Sequence, residues 1–137
     1  MKIRSGRPKK WKIAAAESAL ANGDAATALS HLARSCFGAA YDTGHLELLG
    51  RALAMDGQTE NAGRFFFVSG ARNPEYLAAI ALFLHRHHNP TSHYRLLSQL
   101  PMRMRSISHI DHFPSAVSNE LRLLGWPDCI ARPVKDA

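Results

Sequence analysis

LGRALAMDGQTENAGRFFFVSGARNP, residues Leu49–Pro74, joins two helical patterns across a turn. Gly50 and Ala62 stand on either side of the turn and are small enough to let two helices approach closely. Phe66 has the size to fill the space between those helices. Pro74 suits the first position of a following helix, because its missing N–H needs no partner there. The stretch therefore predicts a helical hairpin followed by a further helix.

Gly57 stands at the turn of this hairpin, where helices commonly end on a glycine. Residues of matching character stand 34 positions before Gly57, Ala62 and Phe66, at Gly23, Ala28 and Leu32. This period is typical of tetratricopeptide hairpins. The sequence therefore predicts an all-α fold: a tetratricopeptide-like stack of about three helical hairpins with a C-terminal capping helix.

Local signals divide the chain into an expected basic N-terminal arm (residues 1–8), a single α-helical repeat domain (9–127) and a C-terminal tail (128–137). Helix-starting prolines, glycine turns and apolar residues at helical spacing predict the bounds of the helices. The predicted helices are Pro8–Ala21, Ala25–Phe37, a segment around Leu46–Leu53, Thr59–Ser69, a helix that starts at Pro74 and includes Leu84, His93–Leu100 and Ser115–Leu124.

The apolar spacing also predicts which helix faces are buried. The fifth helix is expected to bury Tyr76, Leu77, Ile80, Phe83 and Leu84. The last helix, which would cover the apolar end of the stack, is expected to bury Val117, Leu121 and Leu124. Three adjacent phenylalanines cannot share one helix face, so two of Phe65, Phe66 and Phe67 are predicted to be core and one to lie in a groove.

The runs AGRFFFVSG (Ala62–Gly70) and PEYLAAIALFL (Pro74–Leu84) resemble an uncharacterised family of small bacterial helical proteins. That family is marked by Ala-Gly-Arg-aromatic-x-Phe at the same place, and FPSAVSNELRLLGWP (Phe113–Pro127) is similar to its ending. The resemblance covers most of residues 12–127. It implies a helical fold without catalytic residues, and some members look like immunity proteins of bacterial toxin systems.

Length and composition limit the class of protein. At 137 residues and 46% apolar residues, the chain suits one globular domain with a core of ordinary size. It has no apolar run long enough to span a bilayer and no secretory-type start, so a cytoplasmic location is expected. Cys36 and Cys129 lie far apart without a CxxC spacing, which favours reduced thiols.

The net charge of +6 is distributed unevenly along the chain. Residues 1–12 carry six bases and no acid, residues 13–60 carry six acids and two arginines, and residues 61–109 carry six arginines and one acid. Segregated charge of this kind steers the encounter with a charged partner. It favours a binding protein without naming what is bound.

Six of the eight histidines fall in one part of the chain, at His85, His87, His88, His93, His109 and His112. The His85/His88 and His109/His112 pairs each span one helical turn, a spacing that two elements could use to hold zinc. No nearby cysteine or glutamate completes a set of ligands. The sequence therefore favours solvated histidines and predicts neither a metal nor another cofactor.

RSGRPKKW (Arg4–Trp11) resembles an AT-hook, whose extended Arg-Gly-Arg lies in the narrow minor groove of A·T-rich DNA. Ser5 stands where the first arginine of that core belongs, so a solubilising arm is the favoured interpretation. The alternative is a nucleic-acid-associated accessory or adaptor protein. Its phosphate contacts would come from Arg4, Arg7, Lys9 and Lys10.

Motifs of catalysis are missing from the sequence. It contains no G-x-S-x-G, P-loop, HExxH or glycine-rich dinucleotide turn. Cys36 stands near His31 but in no evident activating environment. The sequence therefore predicts a protein that is not an enzyme.

In stacked hairpins of this type, the first helix of each pair lines a concave surface. The register places there Lys10, Ile13 and Glu17, then Glu47, Arg51 and Ala54, then Ala81, His85 and His88. Polar side chains at such positions bury no core. The residues expected to contact a partner are therefore Lys10, Glu17, Glu47, Arg51, His85 and His88.

Together these observations favour a non-catalytic protein-binding module. The sharper hypothesis, implied by the resemblance, is an immunity protein that neutralises a cognate toxin domain of a contact-dependent inhibition or related polymorphic toxin system. A generic adaptor is a third interpretation. No membrane partner is expected, and the sequence does not define an oligomeric state.

Overall fold

The structure, a computed structural model, describes residues 10–32, 42–89, 93–101, 104–105 and 107–130. Within these ranges there is no β-strand, and an isolated bridge pairs His109 with Cys129. The α-helices are α1 (Lys10–Ala21), α2 (Ala25–Leu32), α3 (Thr43–Met55), α4 (Thr59–Ser69), α5 (Pro74–His87), α6 (His93–Leu97) and α7 (Ser115–Leu123). The predicted all-α class is confirmed.

The helices stack as consecutive hairpins. α1 and α2 form the first hairpin and α3 and α4 the second, while α2 packs on α3 and α4 on α5. α6 has five residues and touches α5 sparsely, so the third hairpin is irregular. One cluster of buried side chains extends from Ala16 in α1 to Ile130 beyond α7. The predicted hairpin stack is confirmed, and its tetratricopeptide character stays a prediction.

The two regular hairpins turn in the same way, 34 residues apart. Gly23 and Gly57 have φ of +74° and +84°, a conformation that glycine adopts without strain. Each glycine N–H donates to the carbonyl three residues earlier, at 3.0 and 3.1 Å, and the next N–H donates five residues back, at 2.8 and 2.9 Å. These bonds form the Schellman motif that satisfies the last carbonyls of a helix. Gly125 ends α7 in the same way.

Small residues let α4 contact both of its neighbours. A Cβ at Gly63 would lie 2.0 Å from the carbonyl oxygen of Ala79, so only glycine fits where α4 meets the backbone of α5. A Cβ at Gly50 would lie 2.6 Å from the ring of Phe66. The sequence predicts a role in close approach for Gly50 and Ala62, and the structure adds Gly63.

Arg72 ties the C-terminal cap, defined here as residues 107–130, to the hairpins. Its guanidinium donates to the carbonyls of Phe66 and Phe67, each at 3.1 Å, and pairs with Glu120 of α7. The last carbonyls of a helix have no partner within the helix. Arg72 therefore satisfies the end of α4 and holds α7 beside it.

Three positions predicted to be buried are exposed or only half-buried, and one of them, Leu84 of α5, is half-buried. Leu77 is 47% exposed, because it lies about 100° around α5 from the buried Tyr76. In the C-terminal cap, Leu124 is half-buried, and Trp126 beyond the glycine turn is buried in the core. The prediction of two core residues in the phenylalanine run is confirmed, since Phe66 and Phe67 are buried, and Phe65 is half-buried.

One helix end was also predicted wrongly. α6 ends at Leu97 and not at Leu100, because residues 98–100 form a turn. The other two residues that the last helix was expected to bury, Val117 and Leu121, are fully buried, so this part of the prediction is confirmed. The predicted end of the second helix at Phe37, the arm of residues 1–8 and most of the tail lie outside the described residues.

Candidate functional site

A concave pocket of about 410 Å³ opens between the first helices of successive hairpins. Side chains of α1, α3 and α5 line it together with one from α4. These are Leu20, Arg51, Ala54, Met55, Phe66, Glu75 and Tyr76. The sequence predicts a surface lined by the first helices, and the structure forms a pocket there.

Phe66 and Tyr76 form the floor of the concave pocket. Their rings stack with centroids 3.8 Å apart and planes 11° apart. The Tyr76 hydroxyl donates to a carboxylate oxygen of Glu47 at 2.7 Å. Burial, and after it this hydrogen bond, raises the pKa of Tyr76 to about 12. The phenol therefore stays protonated at neutral pH and links α5 to α3.

Arg51 and Glu75 bring opposite charges to the rim of the concave pocket. Both residues are exposed, and neither forms an ion pair within the described ranges. Both act on the pKa of Tyr76, where the cation lowers it and the carboxylate raises it. Met55, 46% exposed, adds a flexible apolar side chain. The pocket therefore joins a packed apolar floor to uncompensated charge.

Arg51 and Ala54 are the two predicted concave positions that line the pocket. Glu47 lies next to them, but its carboxylate already accepts the hydrogen bond from Tyr76. Its side chain is half-buried. Glu47 therefore contributes to the pocket by positioning Tyr76.

The other predicted partner-binding residues do not line the pocket. Glu17 and His85 are exposed on α1 and α5, one period before and one period after Arg51. His88 is half-buried at the C-terminal end of α5. Lys10 begins α1, and its side chain lies outside the described part of the structure. Of the predicted partner-binding residues, the structure thus brings Glu47 and Arg51 together at the pocket.

Sequence reasoning misses much of the apolar half of the pocket, including Leu20, Met55 and Phe66. A signal existed for Leu20, which stands one period before the predicted Ala54. Met55 carries no comparable signal, because an apolar residue before a turn is usually a core residue. Its exposure depends on how the next hairpin packs.

The histidine pairs form no metal site in the described ranges, where no three histidine, cysteine, aspartate or glutamate side chains converge. His87 instead lies with Nε2 2.7 Å from a carboxylate oxygen of Glu60. This hydrogen bond is the main reason that the pKa of Glu60 is lowered. The ring of His87 also packs on Phe83. The contact between His87 and Glu60 therefore joins α5 to α4.

The predicted nucleic-acid-binding residues Arg4, Arg7 and Lys9 lie outside the described residues, as does Cys36. Cys129 is an exposed free thiol. Among the helices that the structure describes, none combines the length and the apolar character needed to cross a membrane.

Comparison of the chain with protein-family models, curated proteins and solved structures found no match. The family resemblance drawn from the sequence therefore stays a prediction.

Proposed function

We propose that the chain is a non-catalytic protein-binding module, most specifically a cytoplasmic immunity protein that neutralises a cognate toxin domain. The observation that carries the proposal is the concave pocket. Exposed Met55 and Ala54 give it an apolar side next to the buried rings of its floor, and its two rim charges have no ion-pair partner in the described ranges. Protein interfaces concentrate their binding energy in a few buried anchors, while surrounding charges orient the partner and speed association.

The polar groups near the pocket support binding in preference to chemistry. Tyr76 is held protonated by burial and by Glu47, so it supplies no base at neutral pH. Arg51 and Glu75 are exposed, without the desolvation that tunes catalytic groups. The pocket offers no serine, cysteine or histidine as a nucleophile. Occluding a toxin surface requires only association.

The toxin assignment rests on the resemblance described above, together with the charge of the helices around the pocket. All of α3 and all of α1 except its first three residues, which include Lys10 and Lys12, belong to residues 13–60, where six acids outnumber two arginines. The partner face is therefore expected to be basic overall, with an acidic group opposite Arg51. Long-range attraction between such faces raises the association rate, and added salt should slow it.

The test uses the protein encoded by the neighbouring reading frame. Its C-terminal domain is expressed alone, then with this chain, and growth is measured. The proposal expects growth to stop without the chain and to recover with it, with a purified complex of the two proteins. An Arg51→Glu/His85→Glu double variant should lose affinity at least tenfold, since it removes the cation expected to face an acidic group and adds negative charge at two positions predicted for the concave surface. Arg95→Glu, an exposed change on α6, is the matched control.

Two results would overturn the assignment. One is full growth rescue without a complex of the two proteins. The other is unchanged affinity of the double variant. Steeply salt-dependent DNA binding that is lost on removing residues 2–9, with no toxin complex, would establish the nucleic-acid alternative.

A further inference from the structure

We propose that the concave pocket takes one large apolar side chain of a protein partner, held between an acidic neighbour that pairs with Arg51 and a basic neighbour that pairs with Glu75. This inference rests on the proposed protein-binding function and specifies the residues that the partner must present. It excludes a partner that offers only a charged surface.

The floor and the α3 side of the pocket provide the apolar half of the recognition. Phe66 is 1% exposed and Tyr76 6% exposed, so little of their stacked rings, which the Glu47 hydrogen bond fixes, is open to solvent. Leu20 is also buried, and Met55 and Ala54 of α3 therefore supply most of the apolar surface that a partner can contact. A flexible methionine side chain packs well against an aromatic ring. A volume of about 410 Å³ accommodates one aromatic side chain but not a helix.

Arg51 and Glu75 at the rim of the pocket provide the charged half of the recognition. Glu75 occupies the first turn of α5, where the helix dipole favours an acid, so its placement has a structural reason. Arg51 stands within α3, remains exposed and has no ion-pair partner in the described ranges. A side chain seated on the floor would reduce the solvent around both charges and strengthen pairing with a partner's opposite charges. Complementarity therefore selects an apolar residue flanked by one acid and one base.

The test uses five acetylated, amidated tripeptides as probes and the full chain with ¹³C-labelled methionine methyl groups. Two peptides, Asp-Trp-Lys and Lys-Trp-Asp, carry the proposed pattern in either chain direction. Asp-Trp-Asp and Lys-Trp-Lys break the charge pattern, and Asp-Ser-Lys removes the anchor. At millimolar concentrations, one of the first two should shift the Met55 methyl signal and bind about fivefold more tightly than the like-charged peptides. Asp-Ser-Lys should leave that signal unmoved.

Reversing the charge at position 51 tests which charges of the peptide the pocket selects. In Arg51→Glu, Lys-Trp-Lys should become the tightest of the probes, because two acids now flank the pocket. In Arg95→Glu, which reverses an exposed arginine on α6, the original ranking should persist. An unchanged ranking in Arg51→Glu would overturn the charge assignment.

Failure of this inference differs from failure of the proposed function. A shift from Asp-Ser-Lys as large as that from the tighter-binding of Asp-Trp-Lys and Lys-Trp-Asp, or no shift of the Met55 signal by any peptide, would overturn the anchor. If this chain still neutralised and bound its toxin domain, the protein-binding function would stand with a different contact mode. Absence of a toxin complex would overturn the immunity assignment, whatever the peptides show.

Discussion

Gly63 shows how much of the packing depends on a single missing methyl group. In Gly63→Ala, the new Cβ would lie 2.0 Å from the backbone oxygen of Ala79, and a backbone cannot move aside as a flexible side chain can. The two helices would have to separate, so we expect a loss of about 3 kcal/mol in the free energy of unfolding, measured by urea denaturation. Gly44→Ala is the matched control, because its Cβ meets nothing closer than 3.5 Å. A Gly63→Ala protein as stable as that control would contradict the close approach.

His45 makes stability depend on pH at the start of α3. It is 3% exposed, and burial is the main cause of its lowered pKa, against the opposing effect of Asp42. The unfolded chain therefore binds the proton more readily than the folded chain. Stability should fall as pH drops below about 6.5, the unperturbed value for histidine.

The measurement compares the free energy of unfolding at pH 7.5 and pH 5.0. His45→Gln should show a smaller difference between the two values than the unmodified chain, because its side chain does not titrate. His85→Gln, a change at an exposed histidine of α5, should keep the full difference. Equal differences in all three proteins would place the pH dependence elsewhere.

At the scale of elements, Arg72 joins α4 to α7 through contacts that a lysine cannot reproduce. Its planar group reaches two α4 carbonyls at 3.1 Å while pairing with Glu120, and a lysine ammonium lacks that fork. Arg72→Lys is therefore expected to lower the free energy of unfolding by about 2 kcal/mol. The corresponding change at an exposed ion pair, Arg122→Lys, should lower the free energy of unfolding by clearly less.

A double-mutant cycle separates the two roles of Arg72. If pairing with Glu120 matters, Arg72→Ala and Glu120→Gln should together cost less than the sum of the single changes. Strict additivity would show that Arg72 acts through the α4 carbonyls alone. The free energies of unfolding of the unmodified chain, the two single variants and the double variant are measured by urea denaturation.

Sequence reasoning succeeds at this scale where the signal is local. Gly23 and Gly57 define turns through their own backbone conformation, and the repeat register puts Arg51 beside the pocket. It fails where the outcome depends on distant packing. Leu77 fits an apolar helix face yet is exposed, and no local pattern shows that Arg72 will meet Glu120, 48 residues away.

At the scale of the whole molecule, the question is whether hairpins and C-terminal cap unfold together. Buried side chains form a single cluster from α1 to the residues beyond α7, and chains of this size commonly unfold in one step. Trp126, 4% exposed, belongs to this cluster in the C-terminal cap, and Trp11, 57% exposed, lies in α1 beside His31 of the first hairpin. Each can therefore report on its own end.

Trp11→Phe leaves Trp126, in the C-terminal cap, as the sole tryptophan, and Trp126→Phe leaves Trp11, in the first hairpin. In each variant, fluorescence and far-ultraviolet circular dichroism are recorded across one urea titration. We expect both signals to share a midpoint within each variant, because the cluster couples the ends. In Trp11→Phe, a fluorescence midpoint at lower urea than the helical midpoint would show the C-terminal cap opening first, and the hairpins would then be stable without it.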